Sequence, residues 1–205
     1  MAKSEMRNEF LAADVKGLIL EVGYAELLVQ EETTDKIVVS TLRDEEKSAS
    51  YSCELKDGIL KVNPGNVDIR ISIFGSDKAF RKGDIEKDMV TITVPCGMHF
   101  EEMELTIGAG DVRFNNASTT YDRVELEVGA GRLSMETLKV DGHVDVEAGA
   151  GEVELKNLHA KTASFECGVG KMDMNGCLEG NADVKCGVGS IDICLDAEEA
   201  DYNYR

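Results

Sequence analysis

One ten-residue phrase occurs five times between residues 103 and 195: LTIGAGDVRF (105–114), LEVGAGRLSM (126–135), VEAGAGEVEL (146–155), FECGVGKMDM (165–174) and VKCGVGSIDI (184–193). Its first glycines, Gly108, Gly129, Gly149, Gly168 and Gly187, are spaced 21, 20, 19 and 19 residues apart. A unit of about twenty residues is too small to bury a hydrophobic face by itself, so it must stack on its neighbours.

Aligned on the first glycine, the copies form chemical columns. Five positions before it stand Met103, Val124, Val144, Ala163 and Ala182. Three before stand Leu105, Leu126, Val146, Phe165 and Val184, and one before stand Ile107, Val128, Ala148, Cys167 and Cys186. Four after stand Val112, Leu133, Val153, Met172 and Ile191, and six after stand Phe114, Met135, Leu155, Met174 and Ile193. All are apolar, and the positions between them are mostly charged. Alternation with period two is a strand with one buried face.

The inward parity changes across Gly-x-Gly, so an extra residue is spent there, as at a bulge or corner. Each unit therefore reads strand, glycine corner, strand and return arc. At ~3.3 Å per extended residue the unit has a perimeter of about 65 Å. The predicted fold is all-β, a parallel β-solenoid (β-helix) with coils of about 19–21 residues, less regular in its N-terminal half. The structural glycines of the corners are Gly108, Gly110, Gly129, Gly131, Gly149, Gly151, Gly168, Gly170, Gly187 and Gly189; if Gly131 or Gly151 takes a positive φ, a β-branched side chain there is strained. A phosphate-binding reading of these glycines fails, because a dinucleotide fingerprint opens a helix after one strand.

The N-terminal half divides less cleanly. Residues 1–14 are polar and read as a disordered or short helical lead. LILEVGYAELLV (18–29) is a degenerate copy of the phrase with Gly23 at the corner. Strand signals follow at 36–41, 49–55, 59–62, 68–74 and 89–94, with a turn at Asn63-Pro64-Gly65-Asn66 and a charged, glycine-marked loop over 75–87. The 85 residues from Gly23 to Gly108 leave room for about four irregular coils, or for a small β-sandwich leading into the solenoid. The resulting boundaries are a lead over 1–14, an irregular β region over 15–102 and regular coils with a C-terminal cap over 103–205. In that cap Tyr202 and Tyr204 would cover the last strand edge, unless the chain dimerises there.

The net charge of −18 argues against a nucleic-acid partner. No apolar run reaches signal-peptide or membrane-span length, which points to the cytoplasm. Six cysteines occur without a C-x-x-C pair, so zinc is not expected. They read as free thiols serving as small core residues, with Cys167 and Cys186 stacked in one column.

VTITVPCGMHFEEMELTIGAGDVRF (90–114), the repeated Gly-x-Gly units after it and the terminal DYNYR resemble the bacterial putative-adhesin family. These are domains of unknown function related to autotransporter adhesin heads. The resemblance covers roughly residues 15–205. It implies a β-solenoid with no known catalytic residues and a link to the cell surface or to envelope-stress responses. That would place the chain at the cell envelope rather than in the cytoplasm.

No catalytic constellation or cofactor motif stands out. His99, His143 and His159 fall in different columns without ligand partners at metal spacing, so no metal centre is expected. Three after the glycine, Asp111, Arg132, Glu152, Lys171 and Ser190 alternate in sign and can pair from coil to coil. Another face carries Glu104, Glu125, Asp145 and Asp183 four before the glycine, and Glu127, Glu147 and Glu166 two before it. It reads either as a solvated face that discourages aggregation or as a candidate interaction face for a cationic protein, a cationic peptide or divalent ions. The function that follows is a non-catalytic interaction or scaffold protein, monomeric or dimerised edge to edge. A carbohydrate-active β-helix enzyme and a divalent-cation-binding surface protein are the alternatives.

Overall fold

A computed structural model describes residues 3–44, 51–64 and 88–195. The described chain is all-β apart from one short 3-10 turn at Ala12–Asp14. In order, the strands are β1 (Lys3–Leu11), β2 (Gly17–Val22), β3 (Ala25–Glu32), β4 (Lys36–Asp44), β5 (Ser52–Lys56), β6 (Ile59–Asn63), β7 (Asp88–Pro95) and β8 (His99–Ile107). Then come β9 (Asp111–Asn115), β10 (Thr120–Val128), β11 (Arg132–Met135), β12 (Leu138–Ala148), β13 (Glu152–Cys167), β14 (Lys171–Leu178), β15 (Ala182–Cys186) and β16 (Ser190–Leu195).

Each copy of the phrase gives one strand to each of two parallel ladders. The segment before the glycine runs β2–β8–β10–β12, then the second half of β13, then β15. The segment after it runs β3–β9–β11, then the first half of β13, then β14 and β16. The register is the one written in the sequence: Met103, Val124, Val144, Ala163 and Ala182 are successive Cα partners. The arcs also pair, Tyr121 with Val140, Val140 with Ala160, and Ala160 with Leu178. The inward columns form one continuous core, in which Leu105, Leu126, Val146 and Phe165 are each at most 1% exposed. Phe100 and Tyr121 stack in that core with ring centroids 5.7 Å apart.

The N-terminal half departs from the predicted succession of coils. Gly23 does not lie four coils from Gly108 but directly beside it: the Gly108 N–H donates to Val22 O at 2.8 Å and the Ala109 N–H to Gly23 O at 2.8 Å. Of the described strands between them, β6 and β7 lie on the far side of this layer, β6 pairing in parallel with β2 and β7 with β3. Antiparallel strands finish that end, β5 on β6, and β4 then β1 on β7. The sheet is therefore mixed rather than wholly parallel. Lys3–Leu11 is a strand and not a disordered or helical lead, because nine residue pairs tie it to β4. The expected strand at 68–74, the loop at 75–87 and the cap at 196–205 with Tyr202 and Tyr204 lie outside the described residues.

Glu31, at the end of β3, clasps the arc that joins β9 to β10. Its carboxylate accepts the Ser118 and Thr119 N–H groups at 2.9 and 2.6 Å and their hydroxyls at 2.9 and 2.7 Å. Burial raises its pKa, but the hydrogen bonds from Thr119 and Ser118 outweigh burial and hold it at about 2 against an ordinary 4.5. A depressed folded pKa stabilises fully above the unfolded value, and that stability is lost as the pH falls toward the folded one. Glu31→Gln should therefore lower the melting temperature at neutral pH and flatten the acid limb between pH 4.5 and about pH 2. An unchanged acid limb in thermal melts would assign the clasp no role in stability.

All six cysteines are free, as the sequence suggests, but only Cys167 is buried. Cys96, Cys186 and Cys194 are exposed, and Cys53 and Cys177 are half-buried, so most are not core residues. Cys186 opens to solvent because its layer is the last among the described residues.

Candidate functional site

The parallel register turns a sequence column into a physical row. Glu104, Glu125, Asp145, Ser164 and Asp183 are successive Cα partners, as are Thr106, Glu127, Glu147, Glu166 and Lys185. Both rows point outward, since their neighbours Leu105, Leu126, Val146 and Phe165 point in. Strand spacing of ~4.8 Å therefore separates Glu127 from Glu147, and Glu147 from Glu166. Cations touch this face at its margins: Arg123 Nη2 lies 3.6 Å from Glu125, and Lys185 Nζ lies 3.2 Å from Glu166. Glu104, Glu127, Asp145 and Glu147 have no hydrogen-bond or ion-pair partner among the described residues. Near the end of the stack the face dips into a shallow depression lined by Asp145, Glu147, Glu166, Asp183 and Lys185. Like charges set side by side on a rigid surface repel, and a bound cation relieves them.

The alternating column after the glycine behaves otherwise. Arg132 binds Glu152 at 2.8 Å across adjacent strands, but Lys171 turns to Asp173 on its own strand at 2.6 Å. Its charges are largely neutralised where the acidic face is not.

Sequence columns missed one constellation. His99, Asp122 and Asp141 come from three successive layers, yet each offers a ligand atom within 4.8 Å of the others. His99 Nδ1 lies 2.9 Å from the Thr120 hydroxyl, which leaves Nε2 facing Asp122 Oδ1 at 3.4 Å. Both register shifts, against β10 between Tyr121 and Arg123 and against β13 between Val140 and His143, come from one extra residue in β12 at Asp141–Gly142, while β10 pairs with β8 without a shift. An offset of this kind is invisible to an alignment anchored on the glycine. The expectation that no histidine has ligand partners fails for His99 for this reason. His143 instead bonds the Thr162 hydroxyl at 2.8 Å.

At the corners the backbones of successive layers approach too closely for a side chain. A Cβ on Gly131 would sit 2.3 Å from Gly110 O, and one on Gly151 would sit 2.6 Å from Gly131 O. Neither glycine has a positive φ, so a left-handed backbone is not what requires glycine here. The requirement comes from the neighbouring layer.

This stack of glycine-cornered layers is matched along residues 15–204 by one domain family, Toastrack DUF4097. The chain belongs to that family. A crystal structure of a putative cell adhesion protein from Clostridium sporogenes ATCC 15579 shares the fold at TM-score 0.60 and 14% identity, covering 95% of this chain and 100% of that one. A putative adhesin from Bacteroides fragilis NCTC 9343 matches at TM-score 0.42 and 18% identity, over 94% of this chain and 98% of the other. A putative lipid binding protein from Parabacteroides distasonis ATCC 8503 matches at TM-score 0.42 and 15% identity, over 92% and 96%. No curated protein matches the chain. Among the described residues no helix is long and apolar enough to cross a membrane.

Proposed function

We propose that this DUF4097 chain is a non-catalytic interaction protein of the adhesin kind, its repeats winding as solenoid coils that present the acidic face to a cationic protein or peptide. The observation that carries this reading is the run of unpartnered carboxylates at Glu104, Glu127, Asp145 and Glu147 on adjacent strands of a rigid sheet. The adhesion-protein name of the Clostridium sporogenes structure supports a surface role over a carbohydrate-active enzyme. A partner lying along the stack would touch several layers, so single substitutions should have small effects. Binding should weaken steeply with salt, because exposed charges are screened beyond ~8 Å at physiological ionic strength. The experiment is titration of an oligolysine peptide at low and physiological salt. The quadruple variant Glu125→Gln, Glu127→Gln, Asp145→Asn and Glu147→Gln should bind at least about tenfold more weakly while keeping its melting temperature. Equal binding by parent and variant, or none by the parent, would reduce the rows to a solvated face.

A second reading, a divalent-cation site, is favoured by the His99–Asp122–Asp141 group. Calcium and zinc titrations separate the two. His99→Ala with Asp122→Asn should abolish a cation-dependent rise in melting temperature and leave oligolysine binding intact. A rise that survives both substitutions places the ion elsewhere.

A further inference from the structure

The two ends of the repeat stack are finished differently. At the N-terminal end, antiparallel β5 lies on β6, and β4 with β1 lies on β7. At the other end β15 and β16 have no outer partner among the described residues, and the inward columns open to solvent. Phe165 is 1% exposed while its column neighbour Val184 is 48% exposed; Met174 is 2% exposed and Ile193 36%.

The free edge of β15 has a definite polarity. Asn181 O accepts the Ala163 N–H at 3.1 Å, and the Gly187 N–H donates to Cys167 O at 2.8 Å. Odd-numbered backbone groups thus face β13, and by alternation those of Ala182, Val184 and Cys186 face outward. The strand reads Ala-Asp-Val-Lys-Cys, symmetric in character about its centre. Laid antiparallel against itself with Val184 on a two-fold axis, it sets Val184 opposite Val184 as a hydrogen-bonded pair. Ala182 then falls opposite Cys186. Asp183 of each copy falls opposite Lys185 of the other, in the non-hydrogen-bonded positions where side chains lie closest, with Cα atoms ~4.5 Å apart. The axis stands perpendicular to the sheet, so the inward faces of both copies lie on the same side and the two cores become continuous.

We infer that β15 is a self-complementary edge on which a second copy of this chain docks antiparallel, joining two stacks end to end. The charge pattern selects a second copy over other occupants, since the strand complements itself in this one register. The inference is independent of the acidic-face reading, which needs no dimer.

The experiment is sedimentation of the full chain over a range of concentrations, with Lys185→Asp, Asp183→Lys and their equimolar mixture. The parent should show a concentration-dependent dimer. Each single variant places like charges opposite each other twice and should dissociate at least about tenfold more readily. The mixture pairs an all-acidic edge with an all-basic one and should restore association, which also shows that both variants are folded. A parent that stays monomeric overturns the proposal. If removal of residues 196–205 then releases dimerisation, the chain's own tail is the occupant. A dimer indifferent to the single variants, or not restored in the mixture, also overturns it by placing the seam elsewhere.

Discussion

Gly131→Val should lower the melting temperature by roughly 6–12 °C, the equivalent of about 3 kcal/mol in a chain of this length. The new Cβ would stand 2.3 Å from Gly110 O and 2.7 Å from Ile107 Cγ2. The oxygen cannot move aside, because it accepts the Arg132 N–H at 2.9 Å, one of the bonds that joins the layers. Relieving the clash therefore means separating two layers along a ladder that runs the length of the stack. Ser134→Val is the matched control. It adds the same branching three residues away, on the outward side of β11, and loses one exposed bond from the Ser134 hydroxyl to Glu154 at 2.9 Å. Thermal melts of the two variants should differ clearly, and equal shifts would remove the close-approach argument for the corner.

The second large effect separates the middle of the core from its end. Phe165 and Val184 occupy one column in adjacent layers. Phe165 packs between Val146 on one side and Val184 on the other, so Phe165→Ala leaves a cavity the ladders on both sides hold open. The expected loss is about 3–5 kcal/mol. Val184→Ala should cost the monomer well under half as much, because that residue is already 48% exposed. Chemical denaturation at low protein concentration measures both. A Val184→Ala loss as large as that of a buried valine would mean that the end is covered in solution, and its growth with protein concentration would identify the cover as a second copy.

These two expectations rest on different kinds of knowledge. The inward columns and their register were legible because every layer uses the same offsets from its glycine, and a parallel in-register ladder preserves offsets. For the same reason the acidic rows are legible in the sequence: Glu125 beside Asp145 is a statement about spacing. The degenerate copy at 18–29 was legible too, since Leu18, Leu20 and Val22 keep the column positions and pair with Met103, Leu105 and Ile107.

The sequence by itself determined the repeat, the inside and outside of each strand, and which side chains of successive layers become neighbours, because local periodicity dictates all three. The tertiary structure decided how the N-terminal half closes on the stack. Whether β2 is followed in space by β6 or by β8 depends on long-range pairing, which leaves no period to read, and it takes both, one on each edge. It decided why the corners need glycine, since the obstacle to a Cβ is a carbonyl about twenty residues away rather than the residue's own φ. It brought His99 to Asp122 and Asp141, because Asp122 lies diagonally across from His99 on the next strand and one extra residue in β12 shifts Asp141 out of the columns. And it left β15 bare, because the edge of a ladder becomes visible only when the strands have been counted and none remains among those described to cover it.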